Sequence, residues 1–164
     1  MSEMLHLSEA ILSFTSSPQN GWFLPITEAI QGLSAEQAAI VPGKGFNSVW
    51  AVTNHVWFCQ VKVLLHLQGR STEQLSFGEG NDWPPVGDPL DESAWQTAQE
   101  RMLAVTQEIS KCISELSAEE LETPFEPGKA ERWKLVQGLI AHNSYHACEV
   151  ISIRHMQGQW LKEA

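Results

Sequence analysis

The sequence predicts an all-α protein, and two observations support that prediction. Apolar residues recur at helical spacing over long segments, whereas few runs show the β-branched alternation that is typical of strands. Clusters of proline and glycine separate the helical segments and supply the connections between them. Four long helical regions with connections of this length predict a four-helix bundle, formed as a single domain over residues 1–164.

The N-terminal part of the chain predicts one interrupted helical region and one short helix. The first region spans about residues 3–31, and proline and glycine break its periodicity at 16–21. Ser34-Ala-Glu-Gln37 is a capping-box pattern, so a short helix is expected to begin there. A loop at 42–45, which contains one proline and two glycines, follows this helix.

The remaining three long helices are predicted over about 49–67, 92–116 and 132–157. Asn47 or Ser48 caps the first of them, and Gly69 ends it. Residues 69–90 form the longest stretch without periodicity. A loop of this length in a small domain is often functional.

Composition and charge argue against several classes of partner. Ten basic and 20 acidic side chains give a formal net charge of −10, so phosphate backbones and anionic membranes would be repelled over most of the surface. No apolar stretch approaches the roughly 20 residues that span a bilayer, and no basic segment precedes an apolar run at the N-terminus. The three cysteines are widely spaced, which suits reduced thiols. We therefore expect a cytoplasmic protein that binds neither nucleic acid nor membrane.

A pair of histidines is the strongest indication of function. His142 and His146 are four residues apart in a helical stretch, which places both imidazoles on one face, about 6 Å apart at Cβ. His55, on the second long helix, is expected to point inward and to complete a three-nitrogen metal site, whereas His66 lies about 16 Å further along that helix. On a helical wheel, the histidine pair shares a predicted core-facing stripe with Leu135, Leu139, Glu149, Ile153 and Met156.

Four segments of the chain resemble the DinB/YfiT-like superfamily of metalloenzymes, in the same order and over nearly the whole length. They are Gly21-Trp22-Phe-Leu-Pro25-Ile-Thr-Glu-Ala, Ser48-Val-Trp-Ala-Val-Thr-Asn54-His55, Asn81-Asp82-Trp83-Pro84-Pro85 and His142-Asn-Ser-Tyr-His146-Ala-Cys-Glu-Val. The resemblance implies a four-helix bundle, often a homodimer, in which His55, His142 and His146 bind a divalent ion. It also implies a range of chemistries, because similar proteins include thiol-dependent transferases and isomerases.

Glu149 departs from the pattern of many similar proteins, which have glutamine at this position. It lies one turn from His146 on the ligand side of the helix. Three functional roles are open for its carboxylate: metal ligand, hydrogen-bond acceptor for an imidazole N–H, or catalytic general base. The alternative is a solvated or paired helix carboxylate without a functional role.

Three neutral imidazoles leave at least one coordination position open, which is typical of a catalytic rather than a structural site. Zinc or nickel suits these donors best, and manganese or iron also accepts imidazole. An open position could take a water or a substrate thiol, so the pattern favours a metal-dependent hydrolase or a thiol-dependent transferase that acts on a small molecule. The alternative is a non-catalytic metal-binding bundle with a structural or interaction role, because Glu149 is the one clear candidate for a further acid or base.

Two other residues are candidates for a place beside the site. Trp83, followed by Pro84 and Pro85, could form a stiff lip over its mouth, or could pack on the end of the bundle. Cys59, one turn from His55, could approach the metal, or could be a small buried hydrophobic residue.

Overall fold

Helices form the regular structure of this chain in a computed structural model that describes residues 24–73, 75 and 82–160. The helices are α1 Ile26–Ala29, α2 Ala35–Ala39, α3 Val49–Leu67, α4 Glu92–Glu115, α5 Ala118–Glu122 and α6 Arg132–Met156. Across the described ranges, the β structure consists of one isolated antiparallel bridge between Pro124 and Glu131. The all-α prediction is therefore confirmed.

The long helices begin and end close to the predicted positions because the local capping signals are strong. The Ser48 hydroxyl accepts a hydrogen bond from the Ala51 amide at 3.1 Å, so Ser48 rather than Asn47 caps α3. Gly69 and Gly158, which follow α3 and α6, have φ of 68° and 70°, a conformation that glycine adopts without steric cost. α4 and α6 each end one residue before the predicted boundary.

Capping boxes begin two of the short helices. The box at Ser34 and Gln37 is confirmed as the start of α2. The same pattern at Ser117 and Glu120 begins α5, a helix that the sequence analysis did not predict. Of the first predicted region, α1 is described, whereas the part before residue 24 and its interruption at 16–21 lie outside the described residues.

α3 packs against both α4 and α6 and contributes side chains to two buried apolar clusters. Val49, Trp50, Val52 and Val56 enter the first cluster, and Leu64 and Leu67 enter the second. His55 lies on the same helix, directly before Val56 of the first cluster. Within the described ranges, no helix is long and apolar enough to cross a membrane.

The buried face of α6 differs from the predicted stripe. Leu135 is half-buried and Met156 is 52% exposed, so the prediction that these two residues face the core was wrong. Arg154 is 5% exposed, because its guanidinium donates to the carbonyls of Ala29 and Gln31 at 2.7 Å. The buried face of α6 therefore includes a charged residue, which these tertiary hydrogen bonds compensate. The buried positions of α6 are Val136, Leu139, Asn143, His146, Ala147, Val150, Ile153 and Arg154.

Candidate metal centre

The three histidines identified from the sequence meet where α3 packs against α6. One ring nitrogen from each of His55, His142 and His146 lies within 4.8 Å of the other two. The Nε2 atoms of His55 and His142 are 3.1 Å apart. Two imidazoles on one tetrahedral zinc ion, with Zn–N bonds of about 2.0–2.1 Å, would hold their nitrogens about 3.3 Å apart. The cluster is therefore compatible with metal binding.

His55 is oriented by the loop that precedes α4. The side chain is 9% exposed, and its Nδ1 lies 2.8 Å from the backbone carbonyl of Asp82. Because a carbonyl can only accept, Nδ1 carries the proton, and Nε2 of the neutral ring carries the lone pair. The indole of Trp83 stacks on the imidazole of His55, with ring centroids 4.0 Å apart and planes 10° from parallel. The Asp82 carbonyl thus directs the Nε2 lone pair of His55 toward the ring nitrogens of α6, where Nε2 of His142 lies 3.1 Å away.

His146 is oriented in the same way by a carboxylate. Its Nδ1 lies 2.7 Å from Oε2 of Glu149, and Oε1 of Glu149 accepts from Nδ2 of Asn47 at 3.0 Å. Both oxygens of Glu149 therefore have partners, and the carboxylate has the geometry of an acceptor for the imidazole N–H. Glu149 is therefore not simply solvated, and its pairing with His146 and Asn47 is compatible with the role of hydrogen-bond acceptor as well as with that of a paired helix carboxylate.

Burial favours the neutral form of His142 and His146. It lowers the pKa of His142 to about 4, with further contributions from the neighbouring His146 and His55. Burial also lowers the pKa of His146, although the hydrogen bond to Glu149 opposes this shift. Nδ1 of His142 makes no hydrogen bond within the described residues. Neutral rings have a lone pair to offer, so both residues are in the protonation state that a metal requires.

Cys59 lies against His55 but outside the group of converging ligand atoms. Its Sγ is 3.8 Å from Nε2 and 4.0 Å from Nδ1 of His55. Burial, followed by the charge of Asp82, raises the pKa of this thiol to about 11. Because metals bind the thiolate, a protonated Cys59 is a weak candidate ligand. Among the residues described, the convergent group consists of the three histidines alone.

Two partners of the histidines were not predicted from the sequence. Asn47 was predicted only as a possible helix cap, yet its side chain donates to the carboxylate of Glu149, 102 residues further along the chain. The Asp82 acceptor is a backbone atom, so no side-chain pattern could reveal it. The weak signal available was the resemblance itself, whose quoted segments include Asp82.

Comparison with known proteins identifies the family. The family model described as DinB superfamily matches residues 26–149, which include the three histidines and Glu149. No curated protein and no solved structure matches the chain significantly. Since the matched region covers well over half of the 164 residues, the chain belongs to the DinB superfamily.

Proposed function

We propose that this chain is a divalent-metal-binding enzyme, either a metal-dependent hydrolase or a thiol-dependent transferase, that acts on a small molecule. His55, His142 and His146 would hold the ion. The observation that carries the proposal is the convergence of three ring nitrogens within 4.8 Å. A bound divalent ion supplies Lewis acidity, which lowers the pKa of a water or thiol beside it.

The chain's own residues prepare the site by orienting lone pairs and limiting the access of water. The Asp82 carbonyl and the Glu149 carboxylate accept the Nδ1 protons of His55 and His146. Trp83 covers the ring of His55 with an apolar surface. Glu149 acts on the reaction through His146, because its short hydrogen bond keeps the imidazole in one tautomer and makes it a more basic ligand.

A non-catalytic metal-binding role is the second candidate, and one observation favours it. Both oxygens of Glu149 are occupied by His146 and Asn47, which leaves this carboxylate poorly placed to move protons to or from a substrate. The Asp82 carboxylate is paired with Lys62 at 3.1 Å. Activity screens separate the two candidates, as described below.

Elemental analysis of protein purified without added metal tests the metal site directly. Wild type should carry about one divalent ion per chain, with zinc or nickel the expected element and manganese or iron the other options. His142→Ala should carry much less, because it removes one donor nitrogen. His66→Ala is the matched control and should retain the ion. A wild type that contains no ion and takes none up during dialysis against zinc or nickel would overturn the proposal.

Enzymatic screens of the loaded protein then test the reaction class. Ester and amide hydrolysis and transfer of small thiols to electrophiles are the two sets of assays. Turnover that is lost in His142→Ala supports an enzyme, and the set in which it occurs identifies the class. Stoichiometric metal with no turnover in either set favours the non-catalytic role.

A homodimer is part of the proposal, in line with the family resemblance. Exposed apolar side chains support it: Tyr145, next to His146 on α6, is 70% exposed, Met156 at the end of α6 is 52% exposed, and Phe46 in the loop before α3 is 52% exposed. Asn47 brings this loop to α6 through its bond to Glu149. Light scattering should report a mass near twice 18.3 kDa, and a mass near 18.3 kDa would contradict a dimer.

A further inference from the structure

We propose that Asn54 and Lys62, two residues of α3, are positioning residues for His55 that act through the loop at 82–87. This loop supplies the acceptor of the His55 Nδ1 proton, so whatever holds the loop also orients the ring. The consequence for metal affinity rests on the proposed function. The effect on the tautomer of His55 does not, and can be measured without metal.

Two side chains of α3 bind the loop on either side of Trp83. Lys62 Nζ lies 3.1 Å from Oδ1 of Asp82, the residue whose carbonyl accepts from His55. Asn54 Nδ2 donates to the carbonyl of Pro85 at 2.8 Å. Because His55 belongs to the same helix as both anchors, the ring and its acceptor are held at a constant separation.

Asn54 is the stronger anchor because it is itself held in place. Its side chain is 1% exposed, and its Oδ1 accepts a hydrogen bond from the guanidinium of Arg101 on α4. That guanidinium lies 4.0 Å from the ring centroid of Trp57. Burial lowers the pKa of Arg101, and its Nε has no hydrogen-bond partner within the described residues. A buried guanidinium that loses a hydrogen bond costs free energy of folding. Arg101 therefore opposes movement of the Asn54 side chain that accepts from it.

Gly87 allows the end of the loop to lie against the core. A Cβ at this position would be 2.6 Å from Cζ2 of Trp50, a side chain that is 2% exposed and cannot move aside easily. Alanine at 87 would therefore displace the loop without altering any residue that contacts His55. This gives a way to move the loop while the two α3 side chains that hold it, Asn54 and Lys62, are unchanged.

Release of the loop should free the His55 ring. Without the Asp82 carbonyl at Nδ1, the proton can occupy Nε2, which points toward His142 and would compete with a metal. Partners that fix the tautomer of a metal-binding histidine typically change affinity by about 10–100-fold. We expect a loss within this range for the buried Asn54 anchor. The loss should be smaller for Lys62, because its ion pair with Asp82 is about one third to one half exposed.

Three variants and two controls test this proposal. Asn54→Asp removes the donor to the Pro85 carbonyl but keeps an oxygen for Arg101. Lys62→Met removes the ion pair and keeps the length of the side chain, and Gly87→Ala displaces the loop by steric contact. Lys134→Met, which breaks the 2.6 Å surface pair with Glu131, is the control for the lost ion pair. Gly138→Ala, where an added Cβ meets nothing within 4 Å, is the control for the glycine change.

Nitrogen-15 NMR of the imidazoles in metal-free protein is the first readout, and competition of Zn²⁺ with a chromophoric chelator is the second. We expect His55 to be protonated at Nδ1 in wild type and in both controls. The three variants should show a larger share of protonation at Nε2 and weaker zinc binding. An unchanged tautomer in Gly87→Ala and Lys62→Met would overturn the proposal, even if Asn54→Asp failed to fold. Should wild type bind no zinc, the proposed function fails, while the tautomer measurement still decides whether the loop positions His55.

Discussion

His55 and His66 lie on the same helix in similar aromatic surroundings, yet only His55 belongs to the group of three converging imidazoles. His55 stacks on Trp83 with centroids 4.0 Å apart and planes 10° from parallel, and His66 stacks on Phe125 at 4.0 Å and 12°. In both cases the aromatic partner lies outside the long helices. A stacked ring from elsewhere in the chain is therefore not what distinguishes the site.

The two histidines differ in the side chains that lie beside their rings, because, in the part of the chain that the structure describes, α6 contributes two imidazoles at His55 and none at His66. α6 places His142 and His146 beside His55, with ring centroids 5.1 and 4.8 Å away. His66 has instead the hydroxyl of Thr72, 3.3 Å from its Nε2. A hydroxyl satisfies one imidazole nitrogen, whereas three converging imidazole nitrogens form a group that is compatible with one shared cation. The comparison shows that convergence on a common point, rather than burial or stacking, makes a histidine a candidate ligand.

Loss of one converging imidazole should have the largest effect. We expect His142→Ala to lower zinc affinity by more than the roughly 100-fold that marks the upper range for residues around the ligands. His66→Ala, in the other region of α3, should leave affinity unchanged. Competition with a chelator measures the zinc affinity of both variants. Equal losses of affinity would show that the histidine cluster does not differ from His66 in metal binding.

Glu149 should have the next largest effect, because it supports one ligand without belonging to the convergent group. Glu149→Ala is expected to weaken zinc binding by about 10–100-fold, since the Nδ1 proton of His146 loses its acceptor. Glu149→Gln keeps an oxygen for that proton and should lose less. If Glu149→Ala bound zinc as wild type does, the carboxylate would have no part in orienting His146.

Acid should destabilise the metal-free chain more through the histidine cluster of His55, His142 and His146 than through His66. The pKa of His142 is about 4 when folded and near 6.5 when unfolded, so the unfolded chain binds more protons between these values. Stability should therefore fall as the pH is lowered from about 6.5 toward 4, and His146, whose pKa is also lowered, adds to the trend. Thermal melts of chelator-treated protein should show a shallower dependence in His142→Gln than in wild type. A smaller change is expected for His66→Gln, and a reversed order would contradict the comparison.

Removal of the Phe125 ring that stacks on His66 should have the smallest effect. Phe125→Leu keeps an apolar side chain against His66 and loses the aromatic contact, which is worth about 0.5–1.5 kcal/mol. A modest fall in the free energy of unfolding is expected, with zinc affinity unchanged. Denaturant titration measures the first quantity, and a change in zinc affinity would show that the two regions are coupled.

The sequence by itself determined the three long helices that the structure describes and the candidate ligands. Helical periodicity and caps such as Ser48 act over a few residues, so the limits of α3 follow from local interactions. The spacing of His142 and His146 is likewise a property of one helix. The predicted core-facing stripe was wrong at Leu135 and Met156, and the burial of Arg154, which the sequence did not predict, depends on contacts with the distant Ala29 and Gln31.

Only the tertiary structure decided how the rings are oriented and which of them converge. The contacts that orient the rings join distant parts of the chain. His55 and Asp82 are 27 residues apart, Asn47 and Glu149 are 102 apart, and His55 and His142 are 87 apart. No periodicity encodes such pairs, because each depends on how α3, α6 and the loop before α4 pack together. Local propensity places a histidine on a helix, whereas packing decides whether its lone pair meets two others.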